Sequence, residues 1–496
     1  MVTRISSIAE VSARLSVRAR FDSTPHPTTD VLTGIEQDSR VVQPGDLYVA
    51  LPGSRYHGAD FAAVAARNGA VAMLSDKAST ELPTIVVADP RRAVGPLAAW
   101  FHHEPSESLD LYGVTGTNGK TSTVYLIDAG LRGAQVVTGI VTGVEIRGPR
   151  SHRTATSTTP EACDLQRVLA EFVDDGVAAA AMEVSSHGLA LHRAAGTHFR
   201  VGVFTNLDRD HLDFHTDMDD YFAAKASLFQ PDRCDSAVVG IDDEFGRRLV
   251  SELRIPCVTF SSTDPTVDFY ADRIHADEAG TSFRVHCAAG TFALTLQLLG
   301  THQVDNALAA IAALATRGVD IATAIRGIET LGTVPGRLER VDRGQPFLAF
   351  VDYAHNVGGQ RRLFAYLRTL TSGRVIAVVG ATGGRDRGKR GPLGFTAARA
   401  ADVVIVADES PDADDPVALR EDVATGARAA AAAKVVVIAD RRAAIAAAVD
   451  LAEPGDVVVV AGRGHDAVQR YGKDVRRLDD RAVLAEALSL DAGPPG

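Results

Sequence analysis

The chain has 496 residues, 46% of them hydrophobic and 23% charged, with a formal net charge of −12. That length suggests about three domains at roughly 150 residues each, with enough apolar material for sizeable cores. So negative a balance argues against a general binder of nucleic acid or acidic membrane, and an anionic ligand then needs a local cluster of Arg and Lys.

The opening stretch MVTRISSIAEVSARL holds no apolar core of signal-peptide length, and no run of about 18 apolar residues follows it. A cytoplasmic protein without membrane insertion is expected. Cys163, Cys234, Cys257 and Cys287 are scattered without C-x-x-C spacing and read as reduced, mostly buried thiols. The first hundred residues read as a small α/β unit, closed by a Pro/Ser/Glu stretch near 105.

Near-continuous apolar runs over 109–116, 177–186, 199–207, 346–355, 374–384, 401–410 and 455–464 predict strands of parallel sheets covered on both faces. Helix-like stretches such as CDLQRVLAEFVDDG and RAAIAAAVDLAEPG lie between them, so the fold class is α/β with right-handed crossovers. Every run carries polar residues at its carboxyl end, where such sheets bind ligands. A second boundary falls near LGTVPGRLERV, giving expected domains 1–105, 106–335 and 336–496. The run ARAAAAAK (427–434) reads as an ordinary helix, and no internal repeat is found.

GVTGTNGKTS (113–122) follows a predicted strand and opens a predicted helix, the setting for phosphate on a helix N-terminus. Its glycines let the backbone approach an anion, Lys120 brings positive charge, and Thr121 or Ser122 offers a hydroxyl to Mg²⁺. The common G-x-x-x-x-G-K-[ST] pattern fails by one residue, because Val114 stands where the first glycine belongs. Glu183, in MEVSSHGLALHR, reads alone as a solvated loop residue. Asp208, Asp210, His211 and Asp213, in TNLDRDHLDFH, suit Mg²⁺ or the groups behind its ligands, with a charged surface turn as the alternative. Lys225, in DYFAAKASLF, reads as a lysine snorkelling from an amphipathic helix. The stretch GATGGRDRGKRGPLG crowds Arg385, Arg387, Lys389 and Arg390 among glycines, suited to carboxylate or phosphate.

Taken in order, these stretches resemble the Mur ligases, and within them those that add the third residue of the peptidoglycan stem peptide. GIEQDSRVVQPGDLYVALPGSRYHGADF (34–61), STTPE, AAKASLF, PGRLERV and DYAHN complete the resemblance over nearly the whole chain. It implies a central P-loop-type ATPase sheet, a small N-terminal α/β domain and a C-terminal Rossmann-like domain. It also implies ATP-dependent amide formation through an acyl phosphate, with Mg²⁺, on small-molecule substrates, by a monomer.

By resemblance, ATP contacts fall on Gly116, Thr117, Asn118, Gly119, Lys120, Thr121, Ser122, Asn306, Asp352 and His355, with Arg337 on the phosphates. Thr121, Glu183, His211 and a carbamylated Lys225 would serve the metal. The UDP substrate would meet Gln37, Ser39, Ser54, Arg55, Tyr56, Thr158, Thr159, Ser185, Leu191 and Arg193, with Gln37 and Leu191 departing from the usual residues. The amino acid would meet Arg390, Glu409, Ser410, Pro411, Asp412, Gly464 and Asp466. Members that take meso-diaminopimelate carry Asp-Asn-Pro-Arg where this chain has Glu-Ser-Pro-Asp, so Asp412 replaces an arginine. That exchange predicts a basic diamino acid such as L-lysine as the third residue, with meso-diaminopimelate the alternative. Folylpolyglutamate-type ligation on the same fold, and a phosphate-loop switch without ligation, are the competing classes.

Overall fold

The structure, a computed structural model, describes residues 4–16, 19–20, 31–53 and 56–491. Three large sheets follow one another along the chain. The first pairs, in spatial order, Ala19–Arg20, Thr84–Val86, Ala72–Ser75, Asp46–Val49 and Gly34–Glu36, parallel except at its first strand.

The second sheet has eleven strands. Its parallel centre runs Thr138–Val141, Ala179–Glu183, Asp110–Thr115, Val201–Phe204, Ala237–Gly240, Cys257–Ser261. The third sheet orders Glu339–Arg340, Leu348–Asp352, Val457–Ala461, Val375–Val379, Val403–Val406 and Lys434–Val437, all parallel after the first.

Runs such as VIAVV, VVIV and VVVVA have no polar face because helices cover both sides of their sheet. Each fully buried Val, Leu or Ile contributes about 1.5–3 kcal/mol, and these strands are buried throughout. All seven apolar runs are parallel strands, as expected.

Two stretches differ from expectation. The helix Pro416–Ala429 stops inside the alanine run, at Ala430, and Ala431 takes a left-handed φ of 49° before the strand Lys434–Val437. Helix propensity yields there to the turn that feeds a parallel strand. The antiparallel strands at the two ends of the second sheet, Glu145–Arg147, His152–Thr154, Thr281–Cys287 and Gly290–Leu296, left no sign in the sequence, because their incomplete burial breaks the continuous apolar pattern. The four cysteines are free; Cys163 and Cys234 are buried, Cys257 and Cys287 half-buried.

The strand order fixes the site. Asp110–Thr115 lies between Ala179–Glu183 and Val201–Phe204. Their carboxyl ends therefore present the glycine loop, Glu183 and the segment 205–215 side by side.

Candidate active site

The loop after Asp110–Thr115 enters the helix Lys120–Gly133 through Gly116 (φ 147°) and Gly119 (φ 89°). A Cβ at Gly116 would fall 1.9 Å from Thr205 Oγ1, and one at Gly119 would fall 2.3 Å from Asn306 Oδ1. Only glycine fits there. Neighbouring strand ends hold the loop open: Thr117 N donates to Asn206 O (2.8 Å), Asn118 N to Asn206 Oδ1 (3.1 Å), and Thr205 Oγ1 to Asn118 O (2.7 Å). Lys120 Nζ folds over the loop and donates to the carbonyls of Gly116 and Thr117, each at 2.9 Å. Burial lowers its pKa, with the charges of Glu183 and Asp210 pulling the other way. An arriving phosphate oxygen is a better partner for this ammonium than two neutral carbonyls.

Glu183 is buried, which overturns its reading as a solvated residue. Its Oε1 accepts from Thr121 Oγ1 and from Gly143 N, each at 2.9 Å. Lys225 is 1% exposed, so the snorkelling reading fails as well. Its helix, Met218–Ala226, presents it inward, where Nζ donates to Gly116 O at 2.8 Å above the ring of Tyr221. Burial, and then the charge of Lys120, push its pKa well down. A neutral amine is the form that combines with carbon dioxide, and a carbamate nitrogen keeps one N–H for the Gly116 carbonyl.

His211 has a left-handed φ of 57°, packs against His187 and Tyr221, and is pushed by burial down to about 2. A neutral imidazole is the metal-binding form. Among the described residues no group of three or more His, Cys, Asp or Glu side chains is placed to hold a metal. A hydroxyl, a carboxylate and a neutral imidazole nevertheless fit Mg²⁺, which keeps waters and substrate phosphate oxygens rather than filling an all-protein cage.

The third sheet closes over this loop. Arg337 Nη2 donates to Thr121 Oγ1 at 2.8 Å and stacks on Tyr353, whose ring stacks in turn on His465. His465 Nε2 reaches Gly143 O at 3.2 Å. Asp352 spends its carboxylate on Leu338 N (2.6 Å) and Ala354 N (2.7 Å), so it shapes the Arg337 turn. His355 Nδ1 donates to Tyr353 O at 2.9 Å, and its Nε2 lies 3.2 Å from Asp210. Asn306 is buried and donates to Gln303 Oε1 at 2.9 Å.

Towards the first sheet, Thr159 Oγ1 contacts Glu183 O and Ser185 Oγ, each at 3.1 Å, while Arg193 donates to Thr159 O at 3.2 Å and pairs with Glu161 at 2.9 Å. Thr158 lies against Gly143, and Leu191 caps the short helix Ser186–Ala190. Ser39 is buried, Gln37 Oε1 is buried without a hydrogen-bond partner, and Tyr56 is exposed. Ser54 and Arg55 lie outside the described residues.

On the amino-acid side, Arg390 is 4% exposed and paired with both Asp414 and Asp422. Glu409 is buried, accepts from Thr382 Oγ1 at 2.6 Å, and lies where a Cβ at Gly462 would strike it. Ser410 Oγ accepts from Arg470 N (2.9 Å), Pro411 is buried, and Asp412 is exposed with a left-handed φ of 52°. Gly464 (φ 52°) packs against Gly336 and Tyr353, beside the exposed Asp466.

Behind this loop lies a group that sequence reasoning missed. Arg463 Nη1 donates to Glu409 O at 2.8 Å, and Arg441 and Asp480, both fully buried, pair at 2.8 Å. Arginine within a helix-like pattern gave no signal of that burial.

Three family models match the chain: "Mur ligase family, catalytic domain" at 31–100, "Mur ligase middle domain" at 114–314 and "Mur ligase, glutamate ligase domain" at 336–464. The chain is 45% identical over 503 residues to the UDP-N-acetylmuramoyl-L-alanyl-D-glutamate--2,6-diaminopimelate ligase of Streptomyces coelicolor, covering 99% of this chain and 98% of that one. It is 46% identical over 483 residues to the protein of the same name from Streptomyces avermitilis, covering 95% of each. A solved structure of a UDP-N-acetylmuramoyl-L-alanyl-D-glutamate--2,6-diaminopimelate ligase is 28% identical, with a TM-score of 0.66 over 99% of this chain and 100% of that one.

Proposed function

The chain belongs to the Mur ligase family, and from that premise we propose that it uses ATP to join an amino acid to UDP-N-acetylmuramoyl-L-alanyl-D-glutamate. The observation that carries this reading is the convergence of the glycine loop, Thr121–Glu183, Lys225 and Arg337 at three adjacent strand ends. A substrate carboxylate oxygen attacks the γ-phosphorus and ADP leaves. The amine of the incoming residue then attacks the acyl carbon, phosphate departs, and the amine loses a proton.

Lys120 and Arg337 would meet the charge building on the transferred phosphoryl group. Mg²⁺, held by Thr121, Glu183, His211 and the Lys225 carbamate, would supply further neutralisation. Thr158, Thr159, Ser185 and Arg193 would face the muramoyl peptide, with its UDP end on Gln37, Ser39 and Tyr56. Asn306 and His355 would border the adenosine. The proposed units are 1–105 for the UDP-sugar, 106–335 for ATP and 336–496 for the amino acid. No helix among the described residues is long and apolar enough to cross a membrane. The proposed protein is a cytoplasmic monomer acting on small molecules, and its net charge of −12 disfavours nucleic acid as a partner.

The names of the relatives favour 2,6-diaminopimelate over L-lysine as the added residue. Asp412 still speaks for a basic diamino acid without a distal carboxylate. Its side chain is exposed, however, so its charge is well screened, and it lies against Gly384, the residue before Arg385. We therefore propose meso-diaminopimelate. The test compares kcat/KM for meso-diaminopimelate, L-lysine and L-ornithine with ATP and the UDP-dipeptide. A preference of at least about 10-fold for meso-diaminopimelate is expected, since an unpaired or mismatched buried charge costs a kcal/mol or more. A preference for L-lysine that Asp412→Arg reverses would return the assignment to the charge argument.

A further inference from the structure

Asp210 is 2% exposed, yet its side chain is engaged mainly from across the domain junction. Oδ1 accepts from Lys389 Nζ at 3.2 Å. Oδ2 accepts from Asn356 Nδ2 at 3.2 Å and faces His355 Nε2 at 3.2 Å. These partners come from two separate C-terminal loops, one after the strand Leu348–Asp352 and one after Val375–Val379. Within its own domain the carboxylate accepts from His211 N at 2.9 Å. Asn356, 1% exposed, also donates to Asn118 Oδ1 of the phosphate loop at 3.0 Å.

The carboxylate of Asp210 is enclosed by Lys389, Asn356 and His355 and is shut off from water in the docked arrangement. Lys389 is itself 8% exposed. A carboxylate and an ammonium removed from water on docking must satisfy each other, because either one left alone in the closed junction is strongly unfavourable. With the domains apart, both are hydrated and nothing is lost. The contact therefore discriminates between docked and undocked arrangements, and Asn356 ties the docked one to the loop that holds the phosphates.

We infer that Asp210 is a positioning residue, the latch through which His355, Asn356 and Lys389 register the C-terminal domain on the phosphate loop. It touches no reacting atom. Its removal should weaken closure and turnover while leaving the UDP-substrate surface alone.

The experiment pairs steady-state kinetics with small-angle X-ray scattering of the full chain, in the presence of a non-hydrolysable ATP analogue and the UDP-dipeptide. Asp210→Asn keeps the shape and strands Lys389; kcat should fall more than about 30-fold, KM for the UDP-dipeptide should stay within about twofold, and the particle should be more extended than wild type. Lys389→Met strands Asp210 from the other side and should do the same. The double variant leaves no charge alone, so it should close better than either single variant. If Asp210→Asn does not melt cooperatively, Lys389→Met decides by itself. Single variants as compact as wild type, or losses that simply add in the double variant, would overturn the latch. Scattering needs no turnover, so this outcome is separate from the fate of the ligase reading.

Discussion

Replacing Lys120 with alanine is expected to abolish ligation, with turnover falling more than about 100-fold while UDP-substrate binding stays near wild type. The ammonium rests on the Gly116 and Thr117 carbonyls, poised over the loop where the β- and γ-phosphates would sit. Removing a preorganised charge from the place where phosphoryl charge develops costs several kcal/mol. The residues assigned to the UDP-peptide, such as Thr159 and Arg193, bond to one another and to Glu161 and Ser185 rather than to Lys120. Turnover by rapid quench and binding by calorimetry separate the two effects. Near-normal turnover would sink the phosphate-loop assignment.

Lys225→Ala is expected to be nearly inactive and to regain part of its activity with formate or acetate. Lys225 is fully enclosed beside Gly116 and Tyr221, and burial together with Lys120 keeps its amine neutral enough to react with carbon dioxide. The carbamate exchanges a buried neutral amine for a negative group near the Lys120 ammonium, which adds an attraction and a group for a cation. A small carboxylate in the space left by the side chain restores that charge but not its tether, so rescue is partial. Intact mass of the wild type, with and without added bicarbonate, should show one carbon dioxide gained. A fully active alanine variant would remove Lys225 from the chemistry.

Much of the fold was legible because buried parallel strands have to be apolar on both faces. Runs such as 374–384 and 455–464 announced themselves, and the glycine loop was legible from its glycines, Lys120 and its place between strand and helix, although its spacing misses the common pattern by one residue. Burial of charge was not legible. Glu183 and Lys225 read as surface residues, since nothing in a single sequence tells a charged side chain that its helix or strand end faces inward. Pairings between distant residues were invisible for the same reason: Lys389 and Asp210 are 179 positions apart, and Arg441 and Asp480 are 39 apart. The resemblance named several of these residues, but only the strand order explains why they meet.

The central claim is that this site makes an amide bond through an acyl phosphate. The measurement that tests it most directly follows phosphate release and product mass together, with ATP, UDP-N-acetylmuramoyl-L-alanyl-D-glutamate and meso-diaminopimelate. One phosphate should appear for each UDP-tripeptide formed, with none released when the UDP-dipeptide is left out. With ¹⁸O in the dipeptide's carboxylates, one label should pass into the released phosphate. Phosphate release that is indifferent to the UDP-dipeptide, or release without any gain in its mass, would contradict the account and point to a nucleotide switch instead.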